Sequence, residues 1–142
     1  MMSFRAIWVW FMCLLGGGVA QQIMGEGTFY GHGGAGKNGA CMLNTGFNGV
    51  STTVALNPVH YAGGQACGKC IKAWGSGEGS GMTPLKGPIY ATVDNVCPEC
   101  KSGDVDFGMG GDGRWKIQWQ FVGCEEARFG GSPHYLRSRH RA

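Results

Sequence analysis

The chain has 142 residues, and its 12 Lys and Arg exceed its 9 Asp and Glu, so the formal net charge is +3; this length predicts one domain. The basic surplus lies in residues 125–142, and the balanced charge before them excludes the broad basic surface of a nucleic-acid-binding protein. The 28 Gly and 5 Pro, without a sustained helical period of apolar residues, exclude long helices and favour an all-β fold.

The first twenty residues have the pattern of a cleaved secretory signal peptide. Arg5 supplies a positive charge, residues 6–15 form a short apolar run, and small residues offer a cleavage site after Ala20. The run is shorter than the roughly 20 apolar residues of a transmembrane helix. We therefore expect secretion to the extracellular space or cell wall, with no membrane attachment after cleavage. An uncleaved membrane anchor is the alternative.

Beyond residue 20, short strand-like runs are separated by glycine-rich turns, a pattern typical of small sandwiches and barrels. Several runs are β-branched or alternate between apolar and polar residues, as strands do. The runs predicted as strands are residues 28–30, 50–56, 70–74, 88–94 and 115–122. In the last of these, Trp115, Ile117 and Trp119 share one face.

The segments between these strands give few further elements. Residues 58–61 predict one helical turn, and residues 75–81 and 108–113 are glycine-rich loops. Residues 125–142 have no strand pattern, and we predict a disordered basic tail there.

The cysteines predict disulfides. Of seven cysteines, cleavage would remove Cys13 and leave six: Cys41, Cys67, Cys70, Cys97, Cys100 and Cys124. An even number in a small secreted domain predicts cross-links that stabilise a modest core, here three. The two C-x-x-C pairs are also typical of a four-cysteine zinc site. The oxidising compartment and the two additional cysteines favour disulfides, so we expect no metal and no cofactor.

Seven short motifs carry a family resemblance. In chain order they are Gly27-Thr28-Phe29-Tyr30-Gly31, Gly39-Ala40-Cys41, Val54-Ala55-Leu56-Asn57, Cys67-Gly68-Lys69-Cys70, Val93-Asp94-x-x-Cys97-Pro98-x-Cys100, Gly103-Asp104-Val105-Asp106 and Ile117-x-Trp119-x-x-Val122-x-Cys124. Their order and spacing resemble the single-domain expansin-like (loosenin-like) proteins. That resemblance implies a six-stranded double-psi β-barrel, related to family 45 endoglucanases and stabilised by three disulfides, over residues 21–124.

The resemblance also implies a disulfide pairing, which the number of cysteines alone leaves open. By analogy with the family, Cys41 pairs with Cys67, and Cys70 pairs with Cys124. Cys97 pairs with Cys100 across the short Pro-Glu loop.

A polysaccharide-binding groove is the family's functional feature, and the resemblance places Asp94, Asp106, Thr28 and Tyr30 in it. Trp74 and Trp115 are further candidates for exposed sugar contacts, because aromatic rings stack on sugar rings. Asp106 corresponds to the proton donor of family 45 enzymes, and Asp94 is the second acidic position. The substrate-binding candidates are Thr28, Tyr30, Trp74 and Trp115. Structural alternatives stay open for each of them: Asp94 could cap a turn, Asp106 could hold a structural hydrogen bond, and the aromatic residues could belong to the core.

The number and position of the acidic residues argue against hydrolysis. An inverting glycosidase needs an acid and a second carboxylate that activates water. The acid position is present as Asp106, but residues 28–75 contain no Asp or Glu where related enzymes carry the base. His32 occupies that region and could accept a proton, although a hydrogen-bonding or exposed loop role is the simpler interpretation.

These observations favour a secreted monomer that binds cell-wall polysaccharide of the cellulose, xyloglucan, xylan or chitin class and loosens it without hydrolysis. One alternative is a weak endoglucanase or transglycosylase that uses Asp106 as its acid. The other is a barwin-like or natriuretic-peptide-like defence or signalling protein, because the fold does not decide the function.

Overall fold

The computed structural model describes residues 20–32, 34–44, 49–50 and 52–130. Residues 1–19 of the predicted signal peptide and residues 131–142 of the predicted tail lie outside that part of the chain.

Six strands dominate the described residues. Strand β1 is Ile23–Phe29, β2 is Thr53–Leu56, β3 is Cys70–Ser80, β4 is Ile89–Val96, β5 is Val105–Phe107 and β6 is Arg114–Val122. Helix α1 is the predicted turn at Pro58–Tyr61, and α2 is Cys124–Phe129. Helix α1 begins where Asn57 caps it by accepting a hydrogen bond from the His60 amide at 3.1 Å, with Pro58 in the first turn.

The strands close into a barrel in the order β1-β5-β2-β4-β3-β6. The β1–β5 and β2–β4 pairs are parallel, and the four other pairs are antiparallel. Two strands separate β3 from β5 in either direction round this ring, so these two strands lie on opposite sides of the barrel. The predicted all-β, six-stranded barrel is confirmed.

Alternating side chains of the strands fill the barrel. The largest fully buried apolar residues are Trp119, Phe107, Leu56, Ile71 and Ile117. The predicted apolar face of β6 is confirmed, because Trp115, Ile117 and Trp119 are all buried while Lys116 and Gln118 between them are exposed.

The six cysteines pair as the resemblance implies: Cys41–Cys67, Cys70–Cys124 and Cys97–Cys100. The zinc alternative is wrong, because a sulfur bound to another sulfur is not a thiolate ligand. Across the described residues, no three His, Cys, Asp or Glu side chains are grouped so that they could hold a metal ion. That same part of the chain contains no helix long and apolar enough to span a membrane.

Two sequence expectations about these elements are wrong. Residues 75–80 belong to β3 instead of a loop, with a register shift between Gly75 and Gly79. A Cβ at Gly75 would lie 1.7 Å from the Leu85 carbonyl oxygen, so this glycine allows close backbone approach and does not mark a turn. The predicted tail does not begin at Glu125 either, because α2 continues from Cys124 to Phe129.

Candidate functional site

Thr28 and Asp106 form the centre of the candidate site. They are register partners on the parallel strands β1 and β5. The Thr28 hydroxyl donates to Asp106 Oδ1 at 2.7 Å. Because Val105 and Phe107 on either side are fully buried, the alternation of the strand turns the half-buried Asp106 to the outer face of the barrel.

Burial and neighbouring charge together raise the pKa of the Asp106 carboxyl above its ordinary value. Desolvation is the largest cause, and the negative charge of Glu99 adds to it. The Thr28 hydrogen bond and the positive charge of Arg114 act in the opposite direction. Asp106 therefore holds its proton to a higher pH than an exposed aspartate does.

Tyr30 extends the same face beyond the end of β1. Its side chain is 36% exposed. Its hydroxyl donates to Asp94 Oδ1 at 3.2 Å and lies 3.4 Å from the Thr53 hydroxyl. We call the surface formed by Thr28, Tyr30, Thr53 and Asp106 the Asp106 face.

Asp94 anchors the loop under this face. Two residues of β4, Asp94 and Asn95, oppose a single residue of β2 at a register shift, so Asp94 lies in a β-bulge. Its side chain is 0% exposed. Oδ2 accepts hydrogen bonds from the backbone amides of Ala35 and Gly36, both at 2.9 Å.

Asp94 therefore lies beneath the Asp106 face in this structure, and its contact with a ligand stays a prediction. Oδ2 accepts from two protein donors and Oδ1 from one, and the residue is 0% exposed. The turn-organising alternative is the one that the structure supports. Asp104 has a similar structural role, since it is 5% exposed and accepts from the amides of Glu26 and Lys101.

Glycines allow the loop around Gly34 and the 108–113 loop to pack closely against the Asp106 face. A Cβ at Gly34 would lie 1.7 Å from Thr53 Oγ1, and one at Gly108 would lie 2.5 Å from the same atom. A Cβ at Gly110 would lie 2.6 Å from His32 Nε2, so the exposed His32 ring packs directly on the backbone of the 108–113 loop. This packing supports the loop interpretation of His32.

The two tryptophan candidates do not join Asp106. Trp115 is only 4% exposed, and its indole N–H donates to the Asp112 carbonyl oxygen at 2.6 Å. The expectation of an exposed sugar contact at Trp115 is wrong, because it shares the inner face of β6 with Trp119. Trp74 is half-buried on β3, on the opposite side of the barrel from β5.

Glu99 is a site residue that the sequence did not single out. It is exposed on the loop that the Cys97–Cys100 disulfide closes. The Cys97 amide donates to the Leu56 carbonyl oxygen at 2.8 Å, which ties this loop to β2. Its charge acts on Asp106, but in the sequence Glu99 lies outside residues 28–75, where a second carboxylate was sought. The only sequence signal was its position inside a disulfide loop.

Tyr30 gives a test of these contacts by titration. Desolvation and the nearby Asp94 carboxylate raise the pKa of Tyr30 to about 12 from an ordinary value of 10.0. A raised folded-state pKa contributes stability that is complete below pH 10 and is lost as pH rises towards 12. We expect one tyrosinate absorbance transition near pH 12, and we expect Tyr30→Phe to remove it and to flatten the loss of stability over that window. An unchanged alkaline titration in Tyr30→Phe would contradict the burial of this hydroxyl.

Comparison with known proteins bears on the fold. Neither protein-family models nor curated protein sequences give a match to this chain. Among solved structures, the apo expansin of Clavibacter michiganensis superposes with a TM-score of 0.55 and 22% identity over 72% of this chain. A mutant of that expansin in complex with cellohexaose gives a TM-score of 0.55 and 21% identity over the same share. The chain has an expansin-like fold.

The all-β double-psi barrel that the sequence motifs imply is therefore confirmed. The chain spans half the length of each of these expansin chains. A weaker likeness, with a TM-score of 0.48 and 19% identity, is to a Streptomyces papain inhibitor and covers 94% of that chain.

Proposed function

We propose that this expansin-like barrel is a secreted polysaccharide-binding protein that loosens cell-wall glucan networks without hydrolysis, and that the Asp106 face is its binding surface. The observation that carries the proposal is the hydrogen-bonded Thr28–Asp106 pair on the outer face of β1 and β5. A structural neighbour was solved with cellohexaose, which supports a β-glucan as the ligand class. The three disulfides support an oxidising compartment outside the cell.

The residues of the Asp106 face suit a neutral polyhydroxylated chain. Asp106 retains acceptor capacity beyond the single Thr28 bond, so it can accept a hydrogen bond from a sugar hydroxyl. The Tyr30 ring supplies apolar area for a sugar face at roughly 25 cal/mol per Å² buried.

Loosening follows from competition between hydrogen bonds. Packed glucan chains are held by hydrogen bonds to one another, and a protein that offers a carboxylate and an aromatic ring replaces some of these contacts. No covalent bond needs to break, which suits a face where Asp94, the second acidic position of the family, is buried and fully hydrogen-bonded.

Binding to insoluble polymer tests the proposal. We expect Asp106→Ala to weaken binding to cellulose, xyloglucan, xylan or chitin about tenfold, because a hydrogen bond to a charged group is worth roughly 1.5–3 kcal/mol. Asp106→Asn keeps an acceptor for Thr28 and should lose less. Glu125→Ala, which removes an exposed carboxylate on α2, is the matched control. Wild-type protein that binds none of the four polymers would overturn the proposal and favour the defence or signalling alternative.

A second candidate function rests on Glu99. Its exposed carboxyl group helps to raise the pKa of Asp106, and two carboxyl groups with different roles are what glycoside hydrolysis uses. An assay for new reducing ends from soluble β-glucan separates the two candidates. We expect no release. Release that disappears in both Asp106→Asn and Glu99→Gln would replace the non-hydrolytic proposal with the enzymatic one.

A further inference from the structure

A second candidate surface lies on β1, β6 and β3, and its β3 end is on the opposite side of the barrel from Asp106. Its core is a row of outward side chains on three adjacent strands, in which Gln118 of β6 is the register partner of both Met24 of β1 and Trp74 of β3. Gln118 is exposed, Met24 is 67% exposed and Trp74 is half-buried. We call this row the back-face row.

A shallow depression continues the row. It has a volume of about 260 Å³ and is lined by Met24, Ser76, Glu78, Lys116, Ile117 and Gln118. The row therefore combines an indole ring and a thioether with an amide, and the depression adds a hydroxyl and an ion pair.

Neighbouring residues hold Trp74 in place. The Lys72 ammonium lies 5.0 Å from the Trp74 ring centroid and 5.4 Å from the Tyr90 ring centroid. A Cβ at Gly87 would lie 2.9 Å from the Trp74 Cα, so the loop before β4 packs closely beside it. An indole that is already oriented loses little conformational entropy when a ligand stacks on it.

The charge of this surface favours a neutral partner. Lys72 lies 3.8 Å from Glu126, and Lys116 pairs with Glu78, so each cation is balanced by a carboxylate. A polyanion or an anionic membrane would meet no net positive field here. A protein interface would need about 1,000 Å² with a well-packed apolar centre, whereas the row offers two apolar side chains separated by an amide.

We propose that the back-face row is a second polysaccharide-binding surface, and that its occupant is a neutral glucan chain. This inference rests on the proposed function for the class of polymer but uses different residues. Trp74 on β3 lies on the opposite side of the ring from Asp106 on β5, and the row uses none of the residues of the Asp106 face, so one barrel can hold two polymer chains at once. The protein would thus engage adjacent chains of a wall network from a single domain.

The inference is tested by measuring both how tightly the protein binds cellulose and whether the bound protein captures a second glucan chain. Protein bound to insoluble cellulose is offered fluorescently labelled soluble β-glucan, and the captured label reports a second occupied surface. We expect wild type to capture label, and we expect Trp74→Ala and Asp106→Ala each to bind cellulose more weakly and to lose capture. Gln118→Ala changes an exposed side chain, and it should reduce capture severalfold even if Trp74→Ala fails to fold. Val59→Ser, at a 66% exposed position on α1, is the control.

The outcomes separate this inference from the proposed function. If Trp74→Ala and Gln118→Ala bind and capture like wild type while Asp106→Ala loses binding, the second surface is overturned and the proposed function stands. Loss of capture in both back-face variants, with weaker but still measurable cellulose binding through Asp106, supports it. Sedimentation could also find that wild type is a dimer and Trp74→Ala a monomer. If capture is then unchanged, the inference is overturned in favour of self-association. Wild type that binds no glucan overturns both proposals.

Discussion

Removing the Cys70–Cys124 disulfide through the double substitution C70A/C124A is expected to lower the free energy of unfolding by about 4 kcal/mol. The bond joins residues separated by 54 positions, which is the longest separation among the three disulfides. In the chain-entropy description, a longer closed loop restricts the unfolded chain more. The bond also ties the first residue of β3 to the first residue of α2, directly after β6 ends.

The Cys97–Cys100 disulfide provides the matched comparison. Its partners are separated by only 3 positions, so the double substitution C97A/C100A is expected to cost about 2 kcal/mol. Urea denaturation of both variants and of wild type, without reductant, measures the two losses. Equal losses, or a larger loss for the short loop, would contradict the expectation that loop length determines the loss in the free energy of unfolding. They would indicate strain or packing at the short bridge.

The sequence predicted the elements whose signal is local. The alternation of β6, the helical turn at Pro58–Tyr61 and the cysteine pairs are confirmed. The burial of β4 does not alternate, because Thr92 and Asp94 are buried as fully as Val93. Strand β5 was not predicted as a strand, because Val105–Phe107 is too short for a period-two pattern to be recognised. The extension of β3 was predicted as a loop because glycine-rich segments usually form turns. Here Gly75 and Gly79 allow the strand to approach the backbone at Leu85 and Arg114 closely.

The site was predicted less completely than the fold. Thr28, Tyr30 and Asp106 come together on one face, which the family motif implies. The prediction that Trp115 is exposed conflicted with the alternating pattern of β6. That pattern puts Trp115 on the same face as Trp119, which is buried. Side-chain burial at a bulge cannot be deduced from strand periodicity, so the full burial of Asp94 was visible only in three dimensions.

Asp94→Ala is the single substitution with the largest expected effect on the Asp106 face. The carboxylate is the common acceptor for the Tyr30 hydroxyl and for the amides of Ala35 and Gly36. Truncation would leave the two backbone amides without an acceptor at a site where Asp94 itself is 0% exposed, while the Tyr30 hydroxyl can turn to Thr53. Since each unsatisfied buried group costs roughly 1–3 kcal/mol, we expect a loss of about 3 kcal/mol in the free energy of unfolding.

Asp94→Asn separates the hydrogen bonds from the charge. The amide oxygen can occupy the place of Oδ2 and accept from Ala35 and Gly36, while the amide N–H₂ donates to the Tyr30 oxygen, whose own proton can turn to Thr53. We therefore expect Asp94→Asn to retain most of the stability that Asp94→Ala loses. It should also lower the pKa of Tyr30 from about 12, because the charge of Asp94 and its hydrogen bond both raise that pKa, although desolvation keeps it above 10.0.

Three measurements on these two variants decide what Asp94 does. Chemical denaturation gives the stability loss, tyrosinate absorbance gives the pKa of Tyr30, and cellulose binding reports the Asp106 face. A structural role predicts that Asp94→Asn binds cellulose nearly as wild type does, because the carboxylate is 0% exposed and holds the Ala35 and Gly36 amides. If Asp94→Asn stays fully stable yet loses binding as severely as Asp106→Ala, Asp94 must reach the ligand directly. The loop anchored at Ala35 and Gly36 would then have to move when a polysaccharide binds.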